Sequence, residues 1–215
     1  MAQDRWATFD CYGTLIDWNG GIRRELARIF GEDRADERLD RYHELEPALQ
    51  VGGTRSYREV MAEAMGGLGA PDDEVAGLAE ALPSWGPFPE ARPALEETRS
   101  RGWKLAILSN TDRDFIEASM EQIGVPFELA IVASEIGSYK PGHAHWSRFF
   151  EETGALPETH VHVAQSHFHD VVPASELGLR TIWINRYGER REPPPTRELA
   201  DLTRLPETLD ELVAA

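Results

Sequence analysis

Four positions in this sequence end or closely follow an apolar run with a side chain that could do chemistry. Asp10 closes the run Trp6-Ala-Thr-Phe and is followed by Cys11, Tyr12, Gly13 and Thr14; Ser109 and Asn110 close residues 103–108; Lys140 stands in the loop 138–142; and Asp170 follows residues 160–165. An acid that ends a buried strand is either a turn cap or a nucleophile. Its companions favour the second role, because a carboxylate, hydroxyl and amide donors, a cation and a second carboxylate are the parts of a covalent hydrolysis. The cation is notable, since Lys104 and Lys140 are the two lysines of the chain against twenty arginines, and lysine and arginine are not interchangeable as point charges.

The elements that must position these groups follow from the apolar spacing. Residues 5–10 read as a buried strand. Residues 20–30, with Ile22, Leu26, Ile29 and Phe30, and residues 35–50, with Leu39, Tyr42, Leu45 and Leu49, have helical spacing. Gly52-Gly53 breaks the second helix, Thr54 is placed to cap a third through Tyr57, Met61 and Met65, and Asp72 is placed to start a fourth through Val75, Leu78 and Leu82 that Pro83 ends. About seventy residues of helix without a strand, between one strand and a later strand–helix alternation, imply an inserted helical cap. Its expected bounds are 17–86, with residues 1–16 and 87–215 forming the core and residues 86–89 the return hinge.

Beyond the hinge the pattern alternates. Strands are expected at 103–110, 129–133, 160–165 and 180–185, separated by helices at 90–101, 112–123, 143–153 and 171–177; residues 193–195 mark an irregular loop and residues 205–213 a short surface helix. The fold class is therefore α/β, a doubly wound parallel sheet whose polar strand ends share one edge.

Composition narrows the function. The 215 residues are 41% hydrophobic, enough for one sizeable core with a modest insertion. A net charge of -16 excludes nucleic acid and anionic membrane as partners, because the summed field repels polyanions. Cys11 is the single cysteine, no charged and apolar leader opens the chain, and no apolar run approaches the ~20 residues that span a bilayer. A cytoplasmic protein is the expectation.

Taken together, Asp10 with Thr14, Ser109 with Asn110, Lys140 and Asp170 resemble the motifs of the haloacid dehalogenase superfamily, and the resemblance covers almost the whole chain. It implies a Rossmann-like core in which Asp10 is the nucleophile. Phosphatase members carry a second Asp two residues after the nucleophile; here that residue is Tyr12, a poor proton donor near neutral pH. The stretch Asp10-Cys-Tyr-Gly-Thr14 instead resembles the L-2-haloacid dehalogenase branch, as do residues 105–110 and Tyr139-Lys-Pro141. The branch resemblance implies hydrolysis of small (S)-2-haloalkanoic acids to 2-hydroxy acids through an aspartyl ester. It makes Asp10, Lys140, Asp170, Thr14, Ser109 and Arg41 catalytic, with Arg41 reaching in from the cap, and Tyr12, Asn110, Leu45, Tyr57, His167 and His169 substrate-binding. No cofactor or metal is expected, magnesium being required only if the chain is a phosphatase. The implied partner is a small anionic 2-haloacid, with a homodimer as the form typical of the branch.

The fourth motif departs from the branch. Two serines, an Asn and a Trp are replaced by the sequence Gln165-Ser-His-Phe-His-Asp170, and Trp146 stands where the branch has Tyr. A neutral imidazole at His169 activates water near pH 7, marks a different substrate, or caps the following helix. A metal-free hydrolase with a non-halide leaving group is therefore the alternative function, and a magnesium-dependent phosphatase a weaker one.

Overall fold

The computed structural model describes residues 4–52 and 55–214. Six strands, β1 (Arg5–Phe9), β2 (Trp103–Ser109), β3 (Leu129–Val132), β4 (His160–Ala164), β5 (Arg180–Ile184) and β6 (Arg197–Leu199), form one parallel sheet in the order β3-β2-β1-β4-β5-β6. A strand covered on both faces must be apolar or internally satisfied throughout, and β1 and β4 are buried at every position. From β1 the chain builds β2 and β3 to one side and then β4, β5 and β6 to the other. That reversal opens a crevice at the carboxyl end of β1, where Asp10 is the first residue beyond the strand.

Five helices lie between β1 and β2, and the first four are α1 (Trp18–Phe30), α2 (Ala35–Gln50), α3 (Tyr57–Gly67) and α4 (Gly77–Ala81). The remainder, α5 (Ala91–Ser100), α6 (Arg113–Ile123), α7 (Ala133–Ile136), α8 (Ala144–Thr153), α9 (Val172–Glu176) and α10 (Leu205–Leu212), connect or follow the later strands. Asp17 caps α1 by accepting from the Gly20 N–H. Thr54, the expected cap of α3, lies outside the described residues. Ser56 does this work through a reciprocal capping box with Glu59.

The structure differs from the pattern reading in four places. Helix α4 starts at Gly77, because residues 72–76 form turns without a side-chain cap. Pro83 lies inside a 3-10 turn, Leu82–Ser84, that extends α4. Strand β6 carries no apolar signal, since Arg197 and Glu198 are exposed. A wide π-type turn, His167–Val171, precedes α9 and contains Asp170; such turns recur at functional sites.

One apolar cluster runs without a break from the helical insertion (Leu26, Tyr42, Met61, Leu78) into the sheet (Phe9, Ile107, Val163, Ile182). A second covers the other sheet face with Trp6, Leu108, Trp146 and Phe149. Among the described residues no helix is long and apolar enough to cross a membrane.

Candidate active site

The site begins with the turn after β1. Gly13 has φ +87°, a left-handed conformation that strains other residues, and a β-carbon there would also come within 3.1 Å of Gln165 Oε1. The turn brings Thr14 back over Asp10: its hydroxyl donates to Asp10 Oδ2 at 2.9 Å and accepts the Gln165 N–H at 2.9 Å. Thr14 thus ties the loop after β1 to the loop after β4.

Lys140 is buried at the centre. Its Nζ donates to Asp170 Oδ1 at 2.6 Å, Leu108 O at 2.8 Å and Asp10 Oδ1 at 3.0 Å, which engages all three protons. Asn110 fixes the lysine backbone by accepting the Lys140 N–H at 2.7 Å and donating to the Lys140 carbonyl at 2.9 Å.

These contacts separate the two acids. Burial opposes the lysine charge, but Asp10 and Asp170 outweigh it and raise the Lys140 pKa. Burial also opposes ionisation of Asp170, yet Lys140 and His162 hold its pKa down at about 2. Asp10 moves upward, because its own burial and the Asp170 charge outweigh the pull of Lys140. Two carboxylates on one cation therefore divide into a permanent anion, Asp170, and a more basic one, Asp10.

Behind Asp170 lies a buried polar chain on one sheet face. His162 Nε2 donates to Asp170 Oδ1 at 2.9 Å, since an ionised carboxylate only accepts; His162 Nδ1 and His160 Nε2 each lie 2.8 Å from the Thr8 hydroxyl. His160 and His162 converge because residues two apart share a strand face. Among the described residues no cluster of His, Cys, Asp or Glu has the arrangement of a metal site.

A cleft of about 210 Å³ opens over these groups. Asp10, Tyr12, Ser109, Asn110, Lys140 and Asp170 form its floor, Trp18 and Tyr57 part of its wall, and His169 another. Tyr12 lies parallel to Tyr57 with ring centroids 6.4 Å apart, and its hydroxyl bonds that of Ser119 at 2.9 Å. The Ser109 hydroxyl is buried with no protein partner among the described residues. His169 bonds Ser166 Oγ through Nδ1, and burial lowers its pKa. Thr14 acts from behind Asp10.

Three expected site residues lie elsewhere. Arg41 is exposed, pairs with Glu44 and borders a surface groove with Glu37 and Asp40. Residues turn by about 100° each along a helix, and α2 directs His43, Glu46, Pro47 and Gln50 into the cleft, which leaves Arg41 off that face. Leu45 packs over Gly67 of α3. His167 donates to or accepts from neither acid: its Nε2 bonds the Pro193 carbonyl and its ring packs on Trp183. The pattern reading missed Trp18, His43, Glu46, Gln50 and His162. The spacing i, i+3, i+4, i+7 of residues 43, 46, 47 and 50 was a usable signal for the second buried face of α2.

Fold and cleft together define a Rossmann-like α/β core with a helical insertion over an Asp–Lys–Asp centre. The haloacid dehalogenase-like hydrolase family matches residues 5–167, and the chain belongs to that family. It is 27% identical to the (S)-2-haloacid dehalogenase H-109 of Pseudomonas putida over 94% of this chain and 96% of that protein. It is 31% identical to the haloacetate dehalogenase H-2 of Moraxella sp. (strain B) over 84% of this chain and 85% of that protein. The crystal structure of the L-2-haloacid dehalogenase RSc1362 superposes with a TM-score of 0.86 at 20% identity, covering 97% of this chain and all of that one (100%).

Proposed function

We propose that the protein hydrolyses the carbon–halogen bond of small (S)-2-haloalkanoic acids, with residues 17–86 acting as a cap over a core of residues 1–16 and 87–215. The carrying observation is that Lys140 binds both Asp10 and Asp170 beside Tyr12. Burial pushes the Tyr12 phenol well above its ordinary pKa, so the cleft floor offers no proton to a leaving group at that position. Halide leaves with its electron pair and needs none. The named dehalogenase relatives support the same substrate class.

An Asp10 carboxylate oxygen attacks the halogen-bearing carbon from behind, the carbon–halogen bond breaks, and an ester remains on Asp10. Water then adds to the Asp10 carbonyl carbon, and the ester C–O bond breaks to give the 2-hydroxy acid. Asp170 is too acidic to take the water proton efficiently, whereas His169 is neutral and lines the cleft, so His169 is the base and Asp170 the orienting anion. The backbone N–H groups of Cys11 and Tyr12 are the donors we assign to the oxyanion, and the Ser109 hydroxyl, without a protein partner among the described residues, lies on the cleft floor beside Tyr12. Lys140 supplies the cation, so the reading calls for no metal.

Halide release from each enantiomer of 2-chloropropionate in the presence of EDTA tests this directly. Release from the S enantiomer, abolished by Asp10→Asn, is the expected result. Activity confined to p-nitrophenyl phosphate with magnesium would overturn it.

A further inference from the structure

The cleft contains an acid that the displacement does not use. Glu46, on α2, is 7% exposed and lines the same cleft as Asp10. Its Oε1 accepts from Gln50 Nε2 at 2.6 Å. A 2-haloacid brings a carboxylate of its own, and the cleft has no free cation for it among the described residues. Lys140 has committed its three donors, Arg41 faces away, and no guanidinium lines the cleft.

The surroundings of Glu46 decide what it presents to that anion. From its own helix Tyr42 and Gln50 face it, with His43 a further cleft residue whose pKa burial lowers; from α3 comes Tyr57. From the loop after β1 comes Asp10, from the loop before α8 Tyr139 with Lys140, and from the loop after β4 His169 and Asp170. Burial raises the Glu46 pKa most, Tyr57 and Gln50 oppose, and Asp10 adds to the rise, which brings it to about 7. An un-ionised carboxyl has an O–H to donate; an ionised one beside Asp10 and Asp170 repels a further anion in a poorly screened cleft.

We infer that Glu46 is the specificity-determining residue for the substrate carboxylate, the group bonded to the carbon that Asp10 attacks: its un-ionised carboxyl donates a hydrogen bond to that carboxylate, and its ionised form turns it away. This rests on the dehalogenase reading and deepens it. Substrates that carry an amide in place of the carboxylate escape the control, because they add no charge.

The test compares 2-chloropropionate with 2-chloropropionamide between about pH 6 and about pH 9, for the native chain and for Glu46→Gln, with KM and kcat resolved separately. For the acid, the native KM should be level below the Glu46 pKa and rise about tenfold per pH unit above it, with kcat little changed. The amide should show a level KM, and Glu46→Gln should flatten the acid profile. A level KM in the native enzyme, the same slope in Glu46→Gln, or a change in kcat alone would overturn the inference. If neither compound releases halide at any pH, the dehalogenase reading fails. Calorimetric binding of 2-chloropropionate to Asp10→Asn still decides the role of Glu46, weaker binding at the higher pH supporting it and equal binding refuting it.

Discussion

Asp112 accepts the Tyr57 N–H at 2.9 Å across the junction between sheet and insertion. Its other oxygen accepts the Arg58 N–H at 3.0 Å. Asp112 stands at the N-cap position of α6 but makes no side-chain bond to that helix; it caps α3 instead. The latch fixes Tyr57, and Tyr57 walls the cleft. Asp112→Ala should destabilise the protein by about 1–2 kcal/mol in urea unfolding and raise KM more than it lowers kcat. Unchanged stability would show that the contact holds nothing.

Lys140 compensates two buried acids at once. Lys140→Met strands both, and should cost about 3–5 kcal/mol of stability as well as turnover. Lys140→Arg should rescue neither fully, because a planar fork does not fit three acceptors gathered around one nitrogen. The same unfolding and halide-release assays check both variants, and a fully stable Met variant would contradict the ion-pair account.

The raised pKa of Asp10 gives the acid side of the pH profile a direction. The nucleophile acts when ionised, so kcat/KM is present above its pKa and lost as pH falls through it. The midpoint should lie above 3.8, the ordinary aspartate value. Asp170, held at about 2, remains ionised through that window. A midpoint below the ordinary value would mean that Lys140, rather than burial, governs Asp10.

His169→Ala should separate the two halves of the reaction. Displacement needs no base, so about one equivalent of halide should appear in a burst, followed by a stalled ester detectable as added mass on the Asp10 peptide. Normal steady turnover would return the role of base to another group.

Glu46 also links pH to folding. Its folded pKa, about 7, exceeds the ordinary 4.5. The native state therefore holds the proton longer than the unfolded chain, and the associated stability is complete below 4.5 and lost as pH rises through about 7. The shift corresponds to about 3 kcal/mol at most. Thermal melts of Glu46→Gln should lack this decline, and parallel pH profiles for the two proteins would contradict it.

The parallel sheet was legible because β1 and β2 are covered by helices and so read as largely apolar runs ending in polar residues, while β4 alternates histidine with valine and ends in the same way. That rule also located Asp10, Ser109, Lys140 and Asp170. It failed at α2, whose leucines Leu39, Leu45 and Leu49 are only half-buried while Glu46 and Gln50 are buried. A helix packed on one side and facing a cleft on another has two inward surfaces, and apolar periodicity reports one. Strand β6 was invisible for the opposite reason: backbone pairing holds it at the sheet edge without apolar side chains.

The position of β1 bears on biosynthesis. It is the first strand made, yet its partners begin at Trp103 on one side and His160 on the other. A nascent chain therefore carries the nucleophile-bearing strand with both edges unpaired until β2 has been synthesised and with one edge unpaired until β4 has, and open apolar edges recruit other chains. A translation product that stops before β4 would not be a smaller hydrolase. It would be a sheet with one flank of its nucleophile missing and an adhesive edge in its place.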